Sequence, residues 1–308
     1  MTEKWTTKNI PDLSGRVIVI TGANSGIGFE SAKEFARKGA EVILACRSTE
    51  KGEGAADTIR AEIADAKLKP MVLDLSSLRS VRAFADEFNT AYSRLDVLLN
   101  NAGIMMVPYG KTEDGFERQL GTNHLGHFAL TGLLIDALLN TPSARVVNVS
   151  SLAHARGDID FANLMFDAEE SYTPMQSYGN SKLANLLFTY EMQRLLKSKG
   201  SSAIAVAAHP GISTTNLANH MAHPLLMKIV MPFFGWMMQS AAMGALPSIR
   251  AAIDSDVVGG QYFGPDGKKE QKGYPIVVPS NEASHNEEDA RKLWAVSEEL
   301  TGVSFLRE

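Results

Sequence analysis

The chain has 308 residues, and its 44% share of hydrophobic residues is enough to bury a sizeable core. Its formal net charge of −5 and the lack of a long basic run argue against a nucleic-acid partner. The single cysteine, Cys46, excludes an internal disulfide and suits a reducing compartment.

The first predicted elements are a strand, a glycine-rich turn and a helix. Residues 17–21 form a short β-branched run that predicts a buried parallel strand, and a helical pattern covers residues 27–37. In the turn, Gly22 permits a tight bend, Gly26 permits close approach of a ligand, and Gly28 permits close helix–strand packing. Free backbone N–H groups and the positive end of a helix dipole make such a turn a phosphate site. A purely structural turn with incidental glycines is the alternative.

Strands and helices alternate along the rest of the chain, which is typical of a doubly wound α/β fold. The further strands are predicted at residues 41–46, 70–74, 95–100, 144–150, 203–208 and 261–263. The further helices are predicted at residues 50–64, 78–92, 114–139, 176–199 and, near the C-terminus, 287–300. No repeat or linker divides the sequence, so we predict one domain over residues 1–308, with a mostly parallel seven-stranded sheet and helices on both faces. Ligands of such sheets bind at the carboxyl ends of the strands, where the strand order reverses.

Tyr178 and Lys182 lie four residues apart on a predicted helix, and therefore on one of its faces. An ammonium group beside a phenol favours the phenolate, which lets a tyrosine of reference pKa about 10 exchange protons around neutrality. Reversible interconversion of a carbonyl and an alcohol needs such an acid/base group. The same spacing also occurs on helix surfaces as plain packing. It is informative here because a strand-like run that ends in hydroxyls, residues 145–151, precedes it.

Together these motifs resemble the short-chain dehydrogenase/reductase family, in its single-domain branch, from about residue 15 to about residue 263. The residues that carry the resemblance are Thr21-Gly-x-x-x-Gly-Ile-Gly28, Asn100-Asn-Ala-Gly103, Asn123, Ser151, Tyr178 with Lys182, and Pro210-Gly-Ile-Ser-Thr214. Ala45-Cys-Arg47 and Ser181-Lys-Leu-Ala-Asn185 are similar to the retinol-dehydrogenase and protochlorophyllide-reductase neighbourhood of the family. The resemblance implies a Rossmann-type fold and an oxidoreductase that uses a nicotinamide dinucleotide.

The resemblance also implies a dinucleotide site assembled from distant parts of the chain. The residues expected to bind the cofactor are Gly22, Asn24, Ser25, Gly26, Ile27, Gly28, Arg47, Asp74, Leu75, Asn101, Ala102, Gly103, Tyr178, Lys182, Pro210, Gly211, Ile212 and Thr214. Arg47 stands where NAD-binding proteins have a carboxylate, and its guanidinium can fork onto a 2′-phosphate, so we expect NADP(H), with help from Asn24 and Lys51. A solvated arginine at a strand end is the alternative. Asp74 and Leu75 are expected to cap the adenine, although Asp74 could equally be a helix N-cap.

The catalytic roles follow from the same resemblance. Ser151 is expected to hydrogen-bond the substrate oxygen, and Tyr178 to give or take the hydroxyl proton. Lys182 is expected to lower the pKa of Tyr178 and to bind the nicotinamide ribose, while Asn123 holds a water that relays protons to Lys182. Ser150 precedes Ser151, but only one of the two faces the site in an alternating strand, and the family motif favours Ser151.

The chain departs from the family between Ser151 and Tyr178, which are 27 positions apart, roughly twice the usual gap. Retinol-dehydrogenase-like members have similar inserts, so residues 152–177, here called the insert, support that neighbourhood. His154 of the insert could act as a second base, although a loop histidine is more often solvent-facing or a local hydrogen-bond donor. The remaining histidines have no metal-ligand spacing with acids or cysteines, so we predict no metal.

The substrate end is expected at about residues 213–245, which form a substrate lid in this family. Residues 229–249 carry no charge and approach the length of a membrane span, but Pro232 and Gly235 interrupt the apolar run. Its methionines and aromatic residues are adaptable apolar surface, which favours a lipophilic or aromatic aldehyde, ketone or alcohol. For residues 221–243, a buried helix pair or subunit contact is nearly as well supported, and a membrane contact is a third alternative.

We therefore expect an NADP(H)-dependent oxidoreductase that interconverts a carbonyl and an alcohol on a lipophilic or aromatic small molecule. One alternative is a non-catalytic NADP-binding regulatory protein on the same fold, and another is a membrane-surface reductase of the retinoid or steroid type. The first residues lack the apolar stretch of a signal peptide, so we expect a cytoplasmic protein. We also expect a homodimer or homotetramer.

Overall fold

The computed structural model describes residues 4–166, 168–213 and 239–307, and within them eight strands form one sheet. The strands are β1 Val17–Thr21, β2 Glu41–Cys46, β3 Lys67–Val72, β4 Val97–Asn100, β5 Arg145–Val149, β6 Ile204–Ala208, β7 Tyr262–Pro265 and β8 Pro275–Val277. Their order across the sheet is β3-β2-β1-β4-β5-β6-β7-β8. Strands β1 to β7 pair in parallel, and β8 is antiparallel to β7. The predicted class, a doubly wound and mostly parallel sheet, is confirmed.

Helices cover both faces of this sheet. They are α1 Gly26–Arg37, α2 Thr49–Glu62, α3 Leu78–Ala91, α4 Arg118–Leu120, α5 Gly126–Leu133, α6 Ile135–Leu139, α7 Pro174–Ser198, α8 Ala241–Ile253 and α9 Glu287–Thr301. A π-helical turn, Gly121–Leu125, joins α4 to α5. Short 3₁₀ turns lie at Thr7–Asn9, Leu152–Arg156, Glu169–Ser171, Lys268–Glu270 and Glu282–His285.

Several elements differ from the sequence prediction. β3 begins three residues earlier than predicted, so Pro70 lies inside it; β3 is an edge strand, where proline is tolerated. The helix predicted at 114–139 is broken, because Glu117 caps a new helix start and Leu134 leaves helical geometry. β8 is an eighth strand that the seven-stranded prediction lacks, since three residues give no recognisable alternation. Helix α8, which the prediction also lacks, follows the apolar segment of the expected lid.

The core lies on both faces of the sheet because successive strand residues point in opposite directions. One face packs α1, α2 and α8 against the sheet, with Phe35 fully buried among them. The other face packs α3, α5, α7 and α9, where the Phe128 ring lies 5.4 Å from Phe188 and 5.1 Å from Trp294. Burial on both faces explains why residues 17–20 of β1 and 42–46 of β2 are uninterrupted apolar runs.

The strand order reverses between β1 and β4. The chain fills the sheet outward from β1 to β3, and then returns to place β4 on the other side of β1. The carboxyl end of β1 leads into the glycine-rich turn, and that of β4 leads into residues 101–103. Ligands bind at such a switch point, so the fold brings the candidate site residues to one edge of the sheet.

Candidate functional site

The glycine-rich turn, residues 21–28, leaves the N-terminus of α1 open to a ligand. Gly22 and Gly26 have φ of 68° and 57°, in the left-handed region that favours glycine. A Cβ at Gly28 would lie 2.5 Å from the carbonyl oxygen of Gly22, so the turn and α1 are too close for a side chain there. Ser25 precedes α1 without capping it, and the first turn of α1, which the structure describes in full, carries no acidic residue. Its free N–H groups therefore form an anion site of the kind that binds phosphate.

Thr21 ties this turn to the end of β4. Its hydroxyl oxygen accepts the backbone N–H groups of Asn101 and Ala102, each at 2.9 Å, and the Asn101 side chain donates to the Thr21 carbonyl at 2.8 Å. The Thr21 hydroxyl donates to His127 Nε2 at 2.9 Å, because His127 Nδ1 already donates to the backbone carbonyl of Asn123. Burial lowers the pKa of His127 to about 4, so its ring is neutral at physiological pH and keeps this tautomer.

An open cavity of about 370 Å³ lies between the glycine-rich turn and α2. Asn24 and Ser25 line one side of it, and Lys51 lines the other. Arg47 follows β2 directly, its side chain is exposed, and it forms no ion pair within the part of the chain that the structure describes. Arg47 and Lys51 thus lie at the start of α2, on the same side of the sheet edge as the anion site at the N-terminus of α1.

Asp74 and Leu75 follow β3 at the same edge. One oxygen of Asp74 accepts both the N–H and the hydroxyl of Ser76, at 2.9 and 2.6 Å. The N-cap of α3 is Ser77, so the alternative in which Asp74 caps this helix is wrong. Leu75 is buried against α5, where a Cβ at Gly126 would lie 2.3 Å from the Leu75 carbonyl oxygen. Local contacts therefore hold Asp74 and Leu75 in place at this edge, and their contact with an adenine stays a prediction.

Tyr178, Lys182 and Ser151 converge beside the end of β5. Tyr178 and Lys182 occupy one turn of α7, and both side chains are buried. Lys182 Nζ lies 5.7 Å from the centre of the Tyr178 ring and donates to the carbonyl of Val149, the last residue of β5, at 3.0 Å. The Ser151 hydroxyl interacts with the Tyr178 phenol and favours its ionised form. The structure thus brings together three of the four predicted catalytic side chains.

Ser150 and Ser151 have different surroundings. The Ser150 hydroxyl is buried and donates to the backbone carbonyl of Lys182 at 2.8 Å. The Ser151 hydroxyl interacts with Tyr178 and also accepts the N–H of Ala153 at 3.2 Å. Ser151 is therefore the serine beside the phenol, as the alternation of a strand requires.

Asn123, the fourth predicted catalytic residue, lies in the π-helical turn. Its side-chain oxygen accepts the N–H of Ile104 at 2.8 Å, and its amide donates to the Ile104 carbonyl and to a serine hydroxyl of α7, each at 2.9 Å. A Cβ at Gly103 would lie 3.1 Å from Asn123 Oδ1 and 3.5 Å from Lys182 Nζ. Asn123 and Gly103 therefore border the site on the Lys182 side. The backbone carbonyl of Asn123 binds His127, a contact that the expected water-holding role does not include.

Burial sets the proton affinities of the catalytic pair. It raises the pKa of Tyr178 to about 12, against the opposing effect of the Ser151 hydroxyl. It lowers the pKa of Lys182 to about 8. Desolvation of the phenolate thus outweighs the Ser151 contact that favours it, and the expected lowering of the Tyr178 pKa by Lys182 stays a prediction. At neutral pH the site holds a phenol beside an ammonium group.

Residues 210–212 follow β6 and are held by the connection between β7 and β8. Gly211 has φ of 64°, and a Cβ there would lie 2.3 Å from the carbonyl oxygen of Gln271. Ile212 donates its N–H to the same carbonyl at 2.7 Å. The Gln239 side chain donates to the carbonyl of Pro210 at 2.7 Å. The turn that the resemblance places at the nicotinamide is thus packed directly against another loop.

Thr214 and most of the expected lid, about residues 213–245, lie outside the described residues. The described ends of this segment meet, because Ser213 and Gln239 form a parallel bridge. In residues 4–166, 168–213 and 239–307, no helix has the length and apolar character needed to cross a membrane.

His154 of the insert makes structural hydrogen bonds. Its Nδ1 donates to the Ser151 carbonyl at 2.6 Å, and its Nε2 accepts the N–H of Asn281 at 3.3 Å. Burial lowers its pKa. Since both ring nitrogens are engaged, His154 is a local donor rather than a second base, and it is buried rather than solvent-facing. Among the residues that the structure describes, no three His, Cys, Asp or Glu side chains form a group that could hold a metal ion.

The sequence prediction missed residues that hold the site together. His127 lies four positions after Asn123, on the same helical face, and this spacing is a signal that could have identified it. Gln119 binds the segment after Gly103 and the start of α7, and no local pattern marks it. Both residues act through contacts that span long stretches of sequence.

Comparisons with known proteins identify the family and structures of similar fold. The family model described as short chain dehydrogenase matches residues 16–225. Retinol dehydrogenase 12 of Mus musculus is 44% identical over 302 residues, which cover 97% of this chain and 90% of that protein. Retinol dehydrogenase 13 of Homo sapiens is 42% identical over 296 residues, which cover 94% of this chain and 86% of that protein. The crystal structure of an uncharacterized protein from Mycobacterium Paratuberculosis matches with a TM-score of 0.82 at 44% identity, covering 98% of this chain and 99% of that one.

Proposed function

The chain belongs to the short-chain dehydrogenase/reductase family, in its retinol-dehydrogenase-like neighbourhood, and on this premise we propose an NADP(H)-dependent enzyme that interconverts a carbonyl and an alcohol on a lipophilic small molecule. The observation that carries the proposal is the convergence of Ser151, Tyr178 and Lys182 at the sheet edge that also bears the glycine-rich turn. A phosphate-type site and a proton-handling group at one edge are what a dinucleotide-dependent oxidoreductase requires.

Tyr178 is the proton donor in the reducing direction. Because burial raises its pKa to about 12, the phenol keeps its proton at neutral pH and can pass it to a carbonyl oxygen. Ser151, beside the phenol, donates a hydrogen bond to the same oxygen. The Lys182 ammonium group stabilises the phenolate that remains, and Asn123 fixes the chain beside Lys182. When bound beside these residues, a nicotinamide dinucleotide would supply the hydride for reduction, or accept it in the reverse reaction.

The residues present fit a dinucleotide that carries a 2′-phosphate. The glycine-rich turn offers free N–H groups and room for close approach, which suits a pyrophosphate. Arg47 is exposed, and residues 45–48 contain no carboxylate to bind a ribose hydroxyl. A guanidinium binds phosphate in a forked geometry, and Lys51 lines the adjoining cavity. These features favour NADP(H) over NAD(H).

The chain beside the site favours a lipophilic substrate. The relatives are named for retinol, a lipophilic alcohol. Residues 104–107, Ile-Met-Met-Val, follow Gly103 directly, and Asn123 binds the first of them. Methionine side chains adapt to apolar ligands of varied shape. The proposed substrates are therefore aldehydes, ketones or alcohols with apolar bodies, retinoids included. The proposed state is a cytoplasmic homodimer or homotetramer, which cell fractionation and light scattering would test.

Turnover of the purified protein tests this function. With NADPH, we expect reduction of all-trans-retinal and nonanal but not of glucose, with the product alcohol identified by chromatography. Tyr178→Phe should abolish turnover and leave NADPH binding nearly unchanged, because the hydroxyl serves proton transfer. Retained turnover in Tyr178→Phe would refute the acid/base role. NADPH binding without reduction of any carbonyl would favour the non-catalytic alternative.

A further inference from the structure

Gln119 is a fully buried amide in α4 that binds three separate segments of the chain. Its Oε1 accepts the N–H of Met106 at 2.7 Å. Its Nε2 donates to the hydroxyl of Tyr172 at 2.8 Å and to the carbonyl of Pro174 at 2.9 Å. The side chain thus uses its acceptor and both donor hydrogens. These three contacts form what we call the Gln119 bridge.

The partners in the Gln119 bridge border the proposed site from different sides. Met106 lies three residues after Gly103, and Tyr172 lies near the end of the insert. Pro174 opens α7, and α-helical geometry pairs its carbonyl with the N–H of Tyr178. Gln119 therefore binds the backbone that anchors Tyr178 and also binds the apolar segment of the site.

Glu117 holds Gln119 in place. Its buried carboxylate accepts the N–H groups of Gln119 and Leu120, each at 2.8 Å. Burial raises the pKa of Glu117, and these two N–H groups oppose that shift. The Tyr172 hydroxyl donates onward to the carbonyl of Val107 at 2.8 Å. A continuous set of hydrogen bonds thus runs from Glu117 through Gln119 to residues 104–107.

The backbone of Met106 shows why a polar side chain is needed here. Its φ is 53°, in the left-handed region that a residue with a side chain rarely adopts. Such a conformation persists only where its surroundings fix it, and the hydrogen bond from Met106 to Gln119 does so. An apolar side chain of similar volume would fill the same space but would leave the partly buried N–H of Met106 and carbonyl of Pro174 without this partner.

We propose that Gln119 is a positioning residue. The Gln119 bridge sets the placement of Tyr178 relative to residues 104–107, and thereby the rate at which a bound carbonyl is reduced. The inference rests on the proposed function, since the placement of Tyr178 matters only if its phenol transfers the proton. None of the three contacts involves the glycine-rich turn or Arg47, so NADPH affinity should depend on them much less than kcat does.

Gln119→Met tests the proposal, with Gln193→Met as its matched control. The first variant keeps the side-chain length and removes all three hydrogen bonds. The second removes the bond from the Ala205 N–H to Gln193, toward the other end of α7, at 2.9 Å. With nonanal and NADPH, kcat of Gln119→Met should fall by about ten- to a hundredfold, the range expected when a catalytic group is misplaced by about 1 Å. The Kd of Gln119→Met for NADPH should change much less than its kcat, and the kcat of Gln193→Met should match wild type.

Gln119→Glu is a second variant that separates positioning from folding. A protonated carboxylic acid can donate one hydrogen bond, and the ionised form can donate none. Its kcat should therefore approach wild type at acidic pH and fall as the pH rises, with Glu117 and Tyr172 as the titratable groups that face it. A variant with the wild-type pH profile would overturn the proposal.

Amide hydrogen exchange at Met106 gives a readout that needs no turnover. Gln119→Met should speed this exchange, and Gln193→Met should not. Unchanged exchange would mean that Gln119 does not hold the segment. Faster exchange with wild-type kcat and KM would make Gln119 purely structural. Either result overturns the proposal while wild-type turnover stands. A wild-type protein that reduces no carbonyl overturns the proposed function, and the wild-type assay alone identifies that outcome.

Discussion

Arg47→Ala should raise the KM for NADPH far more than the KM for NADH. Arg47 is exposed and has no ion pair within the described ranges, so its removal should change the free energy of unfolding by only about 0.5 kcal/mol or less. A hydrogen bond to a charged group contributes about 1.5–3 kcal/mol. At about 1.4 kcal/mol per factor of ten, this corresponds to about 10- to 140-fold in affinity. Because solvent screens an exposed contact, we expect a value near the lower end, about tenfold.

Initial rates with each dinucleotide would measure this change. Arg47→Lys keeps the charge but loses the fork, so its KM for NADPH should lie between those of wild type and Arg47→Ala. Arg291→Ala removes an exposed arginine of α9 that pairs with Glu287 at 3.1 Å, and both KM values should stay unchanged. An equal rise in both KM values for Arg47→Ala, or no rise, would refute the assignment of Arg47 to the 2′-phosphate.

Three further predictions concern the glycine-rich turn, Lys182 and the buried histidines. Gly28→Ala should lower the free energy of unfolding by about 1–3 kcal/mol, because its Cβ would meet a backbone carbonyl at 2.5 Å. Gly54→Ala in α2 meets nothing within 4 Å and should raise stability by up to about 1 kcal/mol; thermal unfolding of both variants checks the contrast. The carbonyl reduction rate should fall above a pH of about 8, the value to which burial lowers the pKa of Lys182, and a rate that stays constant through that pH would contradict its role. Burial lowers the pKa of His124 to about 3 and of His127 to about 4, below the value of about 6.5 expected when unfolded. The unfolded chain then binds more protons below that pH. Denaturant titrations should therefore show stability falling from a pH of about 6.5 toward about 4, by up to about 1.4 kcal/mol per pH unit for each histidine, and a flat dependence would contradict this.

Elements with strong local signals could be predicted closely from the sequence. The predicted bounds of β1 and β2 are the observed ones, because strands buried on both faces are unbroken apolar runs. The prediction began β3 three residues late, at Pro70, and only the sheet order shows that this strand lies at an edge, where a proline inside it is tolerated. The break near Glu117 was missed because a helical pattern gives no sign that a carboxylate will cap its middle. The place of a strand in the sheet depends on pairing with segments that are distant in sequence.

In the candidate site, too, some features could be predicted from the local sequence and others could not. The pairing of Tyr178 with Lys182 is local, since helical geometry alone puts positions four apart on one face. The position of Asn123 was also readable from its motif, but its binding of Ile104 and the occupation of its carbonyl by His127 were not. Thr214 and the expected lid remain predictions, because they lie outside the described residues.

The sequence by itself determined the strand–turn–helix of the candidate anion site, the alternation of strands and helices, and the pairing of Tyr178 with Lys182 on one helix face. Each of these depends on neighbours a few positions apart. Only the tertiary structure decided that Tyr178 is a phenol of raised pKa, that His127 is neutral, and that Gln119 joins three segments. Those properties arise where distant groups meet in an interior without water, and the free energy of removing a charge from water depends on burial, which no local pattern encodes.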